Sequence, residues 1–248
     1  MMPCRSAPRG LLSALGLIWA VAVQAAPVLL AVEGVNPYRL LAPILGGAAE
    51  YAATWEDGYL ERSPLAAALA KATGAEVRRI AWSGIPTDAA GLRTAMAALQ
   101  AELATAQAQG RPVWLLTHSL GSVIAYLALA EGEAGAPVEV FISLSSPLGR
   151  PPLMRWLAQF HPGLPLATMA ESLHPPVRAG RWLNVYTPWD PFGGPIVAAG
   201  VENLSLALTP SLPLPTPADW IAAHTLPFRT TAWAEMALVG PPASNPAQ

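Results

Sequence analysis

Ser119 is the residue of this chain best placed to act as a nucleophile, because of what surrounds it. It lies in Thr117-His118-Ser119-Leu120-Gly121. Before it comes an apolar run, Val113-Trp114-Leu115-Leu116, opened by Pro112; after it come Leu120, Val123, Ile124 and Leu127, spaced like one buried face of a helix. A strand therefore runs straight into a helix with a serine at the turn. Such a turn pushes the serine oxygen out above the sheet edge and leaves the next amide, that of Leu120, to stabilise an oxyanion. A serine hydroxyl is a poor nucleophile at neutral pH. It needs a base in hydrogen-bond reach and a carboxylate to orient that base. Beyond Ser119 the chain offers three histidines (His161, His174, His224) and two aspartates (Asp190, Asp219).

The elements that must hold these groups alternate. Val28 to Val32 reads as a buried strand, followed by a turn over Glu33-Gly34-Val35-Asn36-Pro37. Leu40 to Tyr51 is expected to be partly helical, and Trp55 to Tyr59 a polar loop. Ser63-Pro64 starts a helix that Gly74 stops. Glu76 to Trp82 is a second strand, and Thr87 to Gln109 the clearest helix, capped by Thr87 or Asp88. The Val113 strand and the Ser119 helix follow, the latter ending near Gly132. Val138 to Leu144, Arg181 to Tyr186 and Val201 to Leu208 complete the strands, and Phe228 to Val239 is a terminal helix. Strands alternating with helices predict an α/β fold, a mostly parallel sheet with helices on both faces. Pro147 to Pro176 differs in character, being rich in proline, with Leu153, Trp156, Leu157 and Phe160 on one helical face.

The serine turn and this order of elements, from about Val28 to Leu238, resemble the α/β-hydrolase fold family. Thr117 stands where the G-x-S-x-G motif has its first glycine; Gly121 keeps the second. The resemblance implies the chain order nucleophile, acid, histidine. Ser119, Asp190 and His224 fit it. Asp190 follows the strand ending Val185-Tyr186 and opens Asp190-Pro191-Phe192, similar to the family's acid turn. It would also start an ordinary turn. His224 lies in Asp219-Trp220-Ile221-Ala222-Ala223-His224-Thr225, read as a late loop ahead of the terminal helix. Asp219 is read as a cap for Trp220 to Ala223. The family's second oxyanion donor comes from the loop after the first core strand, here the amide of Val35, with Gly34 beside the pocket. Many relatives have His-Gly where this chain has Glu33-Gly34, and the glutamate needs a partner such as Arg39, or a role in substrate recognition. His118 is implied to be a structural histidine pointing away from Ser119. Ser145-Ser146-Pro147-Leu148-Gly149 resembles a loop lining the site of lipase-like relatives, its serines being turn formers. Residues 147–180 occupy the place of a cap, with Trp156 and Phe160 toward the substrate; a proline-rich loop with a short core-packed helix is the other reading.

Composition narrows the classes. Of 248 residues 53% are hydrophobic and 12% charged, so the chain can bury one sizeable core and is not disordered. The net charge of −2 and the single lysine, Lys71, leave no basic patch for nucleic acid. Four scattered histidines and one cysteine, Cys4, offer no metal-ligand spacing, and no glycine loop cradles a phosphate, so no metal and no cofactor is expected. Arg5 and Arg9, the apolar stretch Leu11 to Val23 and the small residues around Ala25 predict a cleavable signal, residues 1–25, ahead of one domain, residues 26–248. The rival is an uncleaved membrane anchor, since no charge occurs between Arg9 and Glu33. The expectation is an exported serine hydrolase cleaving a small-molecule or lipid-like ester through an acyl-enzyme, a reading compatible with contact at a membrane surface. Amide or thioester cleavage and acyl transfer would use the same residues. A non-catalytic binding protein on the same scaffold is the alternative from another class.

Overall fold

The computed structural model describes residues 25–35, 57–84, 88–131, 138–160, 179–208 and 215–239. In chain order the elements are β1 (Val28–Val32), α1 (Pro64–Thr73), β2 (Glu76–Ile80), α2 (Ala89–Ala108), β3 (Val113–His118), α3 (Leu120–Glu131), β4 (Val138–Leu144), a 3-10 turn (Pro147–Gly149), α4 (Pro152–Phe160), β5 (Ala179–Tyr186), β6 (Val201–Ser205), α5 (Pro217–Arg229) and α6 (Ala234–Val239). The six strands form one sheet in the order β2-β1-β3-β4-β5-β6, every neighbouring pair parallel.

Alternate residues of each central strand feed two cores. Leu30, Val32, Leu115 and Phe141 face α2 and α3, packing with Leu99, Val123 and Ile124. Leu29, Ala31, Leu116 and Ile142 face the other way, packing with Leu65, Leu69, Phe228 and Trp233. Burial on both faces is why these strands read as unbroken apolar runs. Phe141 and Trp182, directly opposite each other on β4 and β5, stack at 4.9 Å, a pair worth about 0.5–1.5 kcal/mol beyond its burial. The edge strands carry charge instead: Arg78 pairs with Glu76 and Glu102 beside β2, and Arg181 with Glu202 on β6.

Local signals act as expected at α1, where Ser63 accepts from the Ala66 amide and Gly74 ends the helix with φ 70°. Asp88 caps α2. Two readings are corrected. The single terminal helix is two, α5 and α6, with Thr230 to Trp233 between them. Residues 219–225 lie within α5, not in a loop: Thr216 and Asp219 form a capping box with Pro217 in the first turn, and Pro227 sits inside the helix rather than before it. On α4, Met154 packs on the core and Trp156 is 55% exposed. Leu40 to Tyr51, residues 1–24 of the expected signal and residues 161–178 of the expected cap lie outside the described residues, as do the side chains of Leu157 and Phe160. Among the described residues no helix is long and apolar enough to cross a membrane.

Candidate active site

The strand order reverses between β1 and β3, since β2 lies to one side of β1 and the later strands to the other. In parallel sheets, connections leaving the two strands at such a point run to opposite faces, and ligands bind beside the carboxyl ends there. Glu33 to Val35 leaves β1, and Ser119 leaves β3.

Ser119 adopts φ 52°, a left-handed backbone that a serine holds only when its surroundings impose it. Its amide donates to Leu144 O of the neighbouring strand at 2.9 Å, and its carbonyl accepts from Ser122 N and Oγ. Gly121 must be glycine: a Cβ there would collide with the Val32 and Glu33 carbonyls. Thr117 fits because its hydroxyl donates to Ile142 O at 3.0 Å, fully buried between strands. Gly34 packs on the serine itself. A Cβ at Gly34 would lie 2.5 Å from Ser119 Cβ and 3.2 Å from its Oγ. Leu120 opens α3, so its amide has no partner within the helix. Gly34 N donates to the Tyr59 hydroxyl at 2.9 Å, and Val35 N makes no hydrogen bond among the described residues.

His224 Nδ1 lies 2.9 and 3.0 Å from the two oxygens of Asp190, both residues buried. A carboxylate only accepts, so Nδ1 carries a proton, and in the neutral ring Nε2 keeps its lone pair. Asp190 also accepts from Phe192 N at 2.9 Å, and its own amide donates to Thr187 O at 3.0 Å. It is thus a turn former and a histidine partner at once. Asp219 is occupied by Thr216 N and Oγ1 at 2.8 and 2.7 Å.

Glu33 has its expected partner, Arg39, outside the described residues. Its carboxylate accepts from Gly58 N and Leu60 N at 3.1 and 3.0 Å and faces Arg79 at 3.5 Å. Burial raises its pKa against the lowering effect of those amides. The acid is a clamp on the turn at residues 57–60. That turn is not the polar loop expected: Tyr59 and Leu60 are buried, and Tyr59 Oη lies 2.7 Å from His118 Nδ1. His118 turns from Ser119 as expected, and its Nε2 meets the His224 carbonyl at 3.0 Å. The apolar pair Tyr59-Leu60 ahead of Ser63-Pro64 was the signal that this turn is anchored in the core.

Ser145 and Ser146 form turns, as expected. Ser146 Oγ meets Ser122 Oγ at 2.6 Å and accepts from Leu148 N, tying this loop to α3. A cavity of about 540 Å³ opens beside it, lined by Leu153, Tyr186, Trp189, Asp190 and Trp220 among others. It lies on the Asp190 side, and Trp156, Ser119 and His224 are not among its lining residues.

The switch point, the parallel order and the strand–serine–helix turn define an α/β-hydrolase fold. The chain is similar in structure to a metagenomic carboxyl esterase, at 16% identity and TM-score 0.44, covering 86% of this chain and 75% of that one. It is also similar to a soluble variant of monoglyceride lipase from Saccharomyces cerevisiae in complex with a substrate analog, at 11% identity and TM-score 0.38, covering 86% and 88%. No protein-family model matches the sequence, and no curated protein does either.

Proposed function

We propose that the protein is an exported serine hydrolase that cleaves carboxylic esters. The observation that carries the reading is the buried pair of His224 Nδ1 and the Asp190 carboxylate, on the sheet edge where Ser119 leaves its strand. Nε2 of His224, left with its lone pair, takes the Ser119 proton as the oxygen attacks the ester carbonyl. The tetrahedral oxyanion is held by the amides of Leu120 and Val35. His224 then protonates the leaving alcohol, and the acyl group stays on Ser119. Water, deprotonated by the same nitrogen, releases the acid and restores the serine. Asp190 keeps the imidazole oriented and stabilises its charged form.

The named activities of the two structural neighbours, an esterase and a lipase, agree with an ester as substrate. Gly34 is read as part of the pocket wall, and α4 with Trp156 and Phe160 as the base of a cap over it. Export rests on residues 1–25, and a mature N-terminus at Ala26 is its direct check. The test of the chemistry is labelling of purified protein by a fluorophosphonate, read by intact mass. One adduct, absent in Ser119→Ala, is the expected result. No adduct on folded wild-type protein would overturn the reading.

A further inference from the structure

Helix α5 carries a proline where a helix needs a donor. Pro227 has no amide hydrogen, and its ring crowds the carbonyl four residues back, that of Ala223. The Ala223 carbonyl accepts instead from Thr187 Oγ1 at 3.0 Å. The next carbonyl, that of His224, accepts from His118 Nε2 at 3.0 Å. Both donors are buried side chains at the sheet edge. His118 directly precedes Ser119. Thr187 follows β5, and its own carbonyl accepts from the Asp190 amide. The main chain at His224 is therefore held from two sides, by a neighbour of the serine and by the turn of the acid.

The bonds behind His118 have a fixed direction. A carbonyl only accepts, so Nε2 of His118 carries a proton. Burial, and then the charge of the facing His224, hold the His118 pKa well below its ordinary value, so the ring is neutral and Nδ1 is bare. The Tyr59 hydroxyl therefore donates to Nδ1 at 2.7 Å, while its oxygen accepts the Gly34 amide at 2.9 Å. One directed chain joins the loop after β1 to the main chain of His224. Phe228 packs against it, its ring 4.8 Å from that of His118 and 5.2 Å from that of Tyr59.

We propose that Pro227 opens α5 so that Thr187 and His118 grip adjacent main-chain carbonyls, and that Thr187, His118 and Tyr59 are positioning residues fixing the His224 imidazole against Asp190 and toward Ser119. The proposal rests on His224 being the base of the hydrolase reading. A purely structural kink would need its carbonyls satisfied, but it would not need donors that adjoin Ser119 and the Asp190 turn.

Three mild variants of the full chain test it: Tyr59→Phe, Thr187→Val and Pro227→Ala, the last restoring the amide that competes for Ala223. The readouts are kcat and KM on p-nitrophenyl butyrate, Tm, and the NMR signals of the histidine rings. We expect kcat to fall about 10- to 100-fold with KM within about threefold, the scale of a displaced catalytic group. Pro227→Ala keeps or gains Tm, because a helical bond returns, and still loses kcat. In wild type His118 reads as the Nε2–H tautomer, and the Asp190-bound Nδ1–H signal of His224 is sharp; it broadens in the variants. A drop in Tm with kcat and that signal unchanged would overturn the grip. If wild type cleaves no ester, the hydrolase reading falls instead. The Nδ1–H signal then decides the grip alone: broadening supports it, persistence overturns it.

Discussion

β3 and β4 lie side by side, and each ends in a serine with a left-handed backbone, Ser119 at φ 52° and Ser145 at φ 48°. Each amide donates across to the next strand, Ser119 N to Leu144 O and Ser145 N to Val185 O. A non-glycine residue in this conformation costs about 1–2 kcal/mol. The chain beyond them differs. Ser119 runs into the 12-residue helix α3, whose opening amide, that of Leu120, has no partner within the helix. Ser145 runs into a three-residue 3-10 turn with Pro147 at its start. The neighbours differ as well. Ser119 has Gly34 against it. Ser145 lies under Gly193, so closely that any Cβ there would strike its main chain, and its Oγ is buried with no hydrogen-bond partner among the described residues. The strained turn is common to both strand ends; what separates them is the helix start and the 8% exposure of Ser119 against 0% for Ser145.

The largest contrast is expected in turnover. Ser119→Ala should lower kcat on a p-nitrophenyl ester at least about 10⁴-fold, whereas Ser145→Ala should leave it within about threefold. Equal losses in steady-state assays would make the two ends equivalent and sink the comparison.

The covering glycines should separate the same way. Gly34→Ala places a methyl 2.5 Å from Ser119 Cβ and 2.8 Å from His118 O, and a loss of about 100-fold in kcat is expected from a displaced serine. Gly193→Ala should act first on stability, costing about 1–3 kcal/mol by overpacking. Denaturant titration beside kinetics checks both.

The Ser119 end also holds a buried titratable ring, His118, facing His224 and Tyr59. Its folded pKa is depressed by burial, while unfolded histidine titrates near about 6.5. Below that value the unfolded chain binds a proton that the native state refuses. The stability it contributes is present above about pH 6.5 and is lost as pH falls toward the folded pKa, by up to about 1.4 kcal/mol per pH unit. Tm measured between pH 7.5 and 5 should fall on acidification, and more shallowly in His118→Gln. Parallel curves would mean the ring titrates normally.

The smallest effect belongs to Ser145→Gly. It removes an unsatisfied hydroxyl and the left-handed strain, partly offset by glycine's backbone entropy. A net gain of about 1 kcal/mol, seen as about 2–4 °C in Tm, is expected with turnover kept. A lower Tm would show that the hydroxyl has a partner in solution.

Much of this was legible from local pattern. The β3–Ser119–α3 turn spans few residues, and burial on both faces makes β1, β3 and β4 unbroken apolar runs. Asp190 and His224 were reachable through chain order and few candidates. The helix around His224 was not, because Pro227 ordinarily ends a helix and only Thr187, 36 residues away in sequence, supplies the missing donor.

By itself the sequence determined the alternation of strand and helix, the serine at the turn, and the small set of acids and histidines able to serve it, since these depend on short-range period and on residue type. Only the tertiary structure decided where Glu33 spends its charge, that Tyr59 reaches His118 across 59 positions, and that His118 reaches the His224 main chain across 106. Hydrogen bonds are set by distances of about 3 Å and by direction, and no local pattern in the chain encodes which distant groups the closed sheet brings that near.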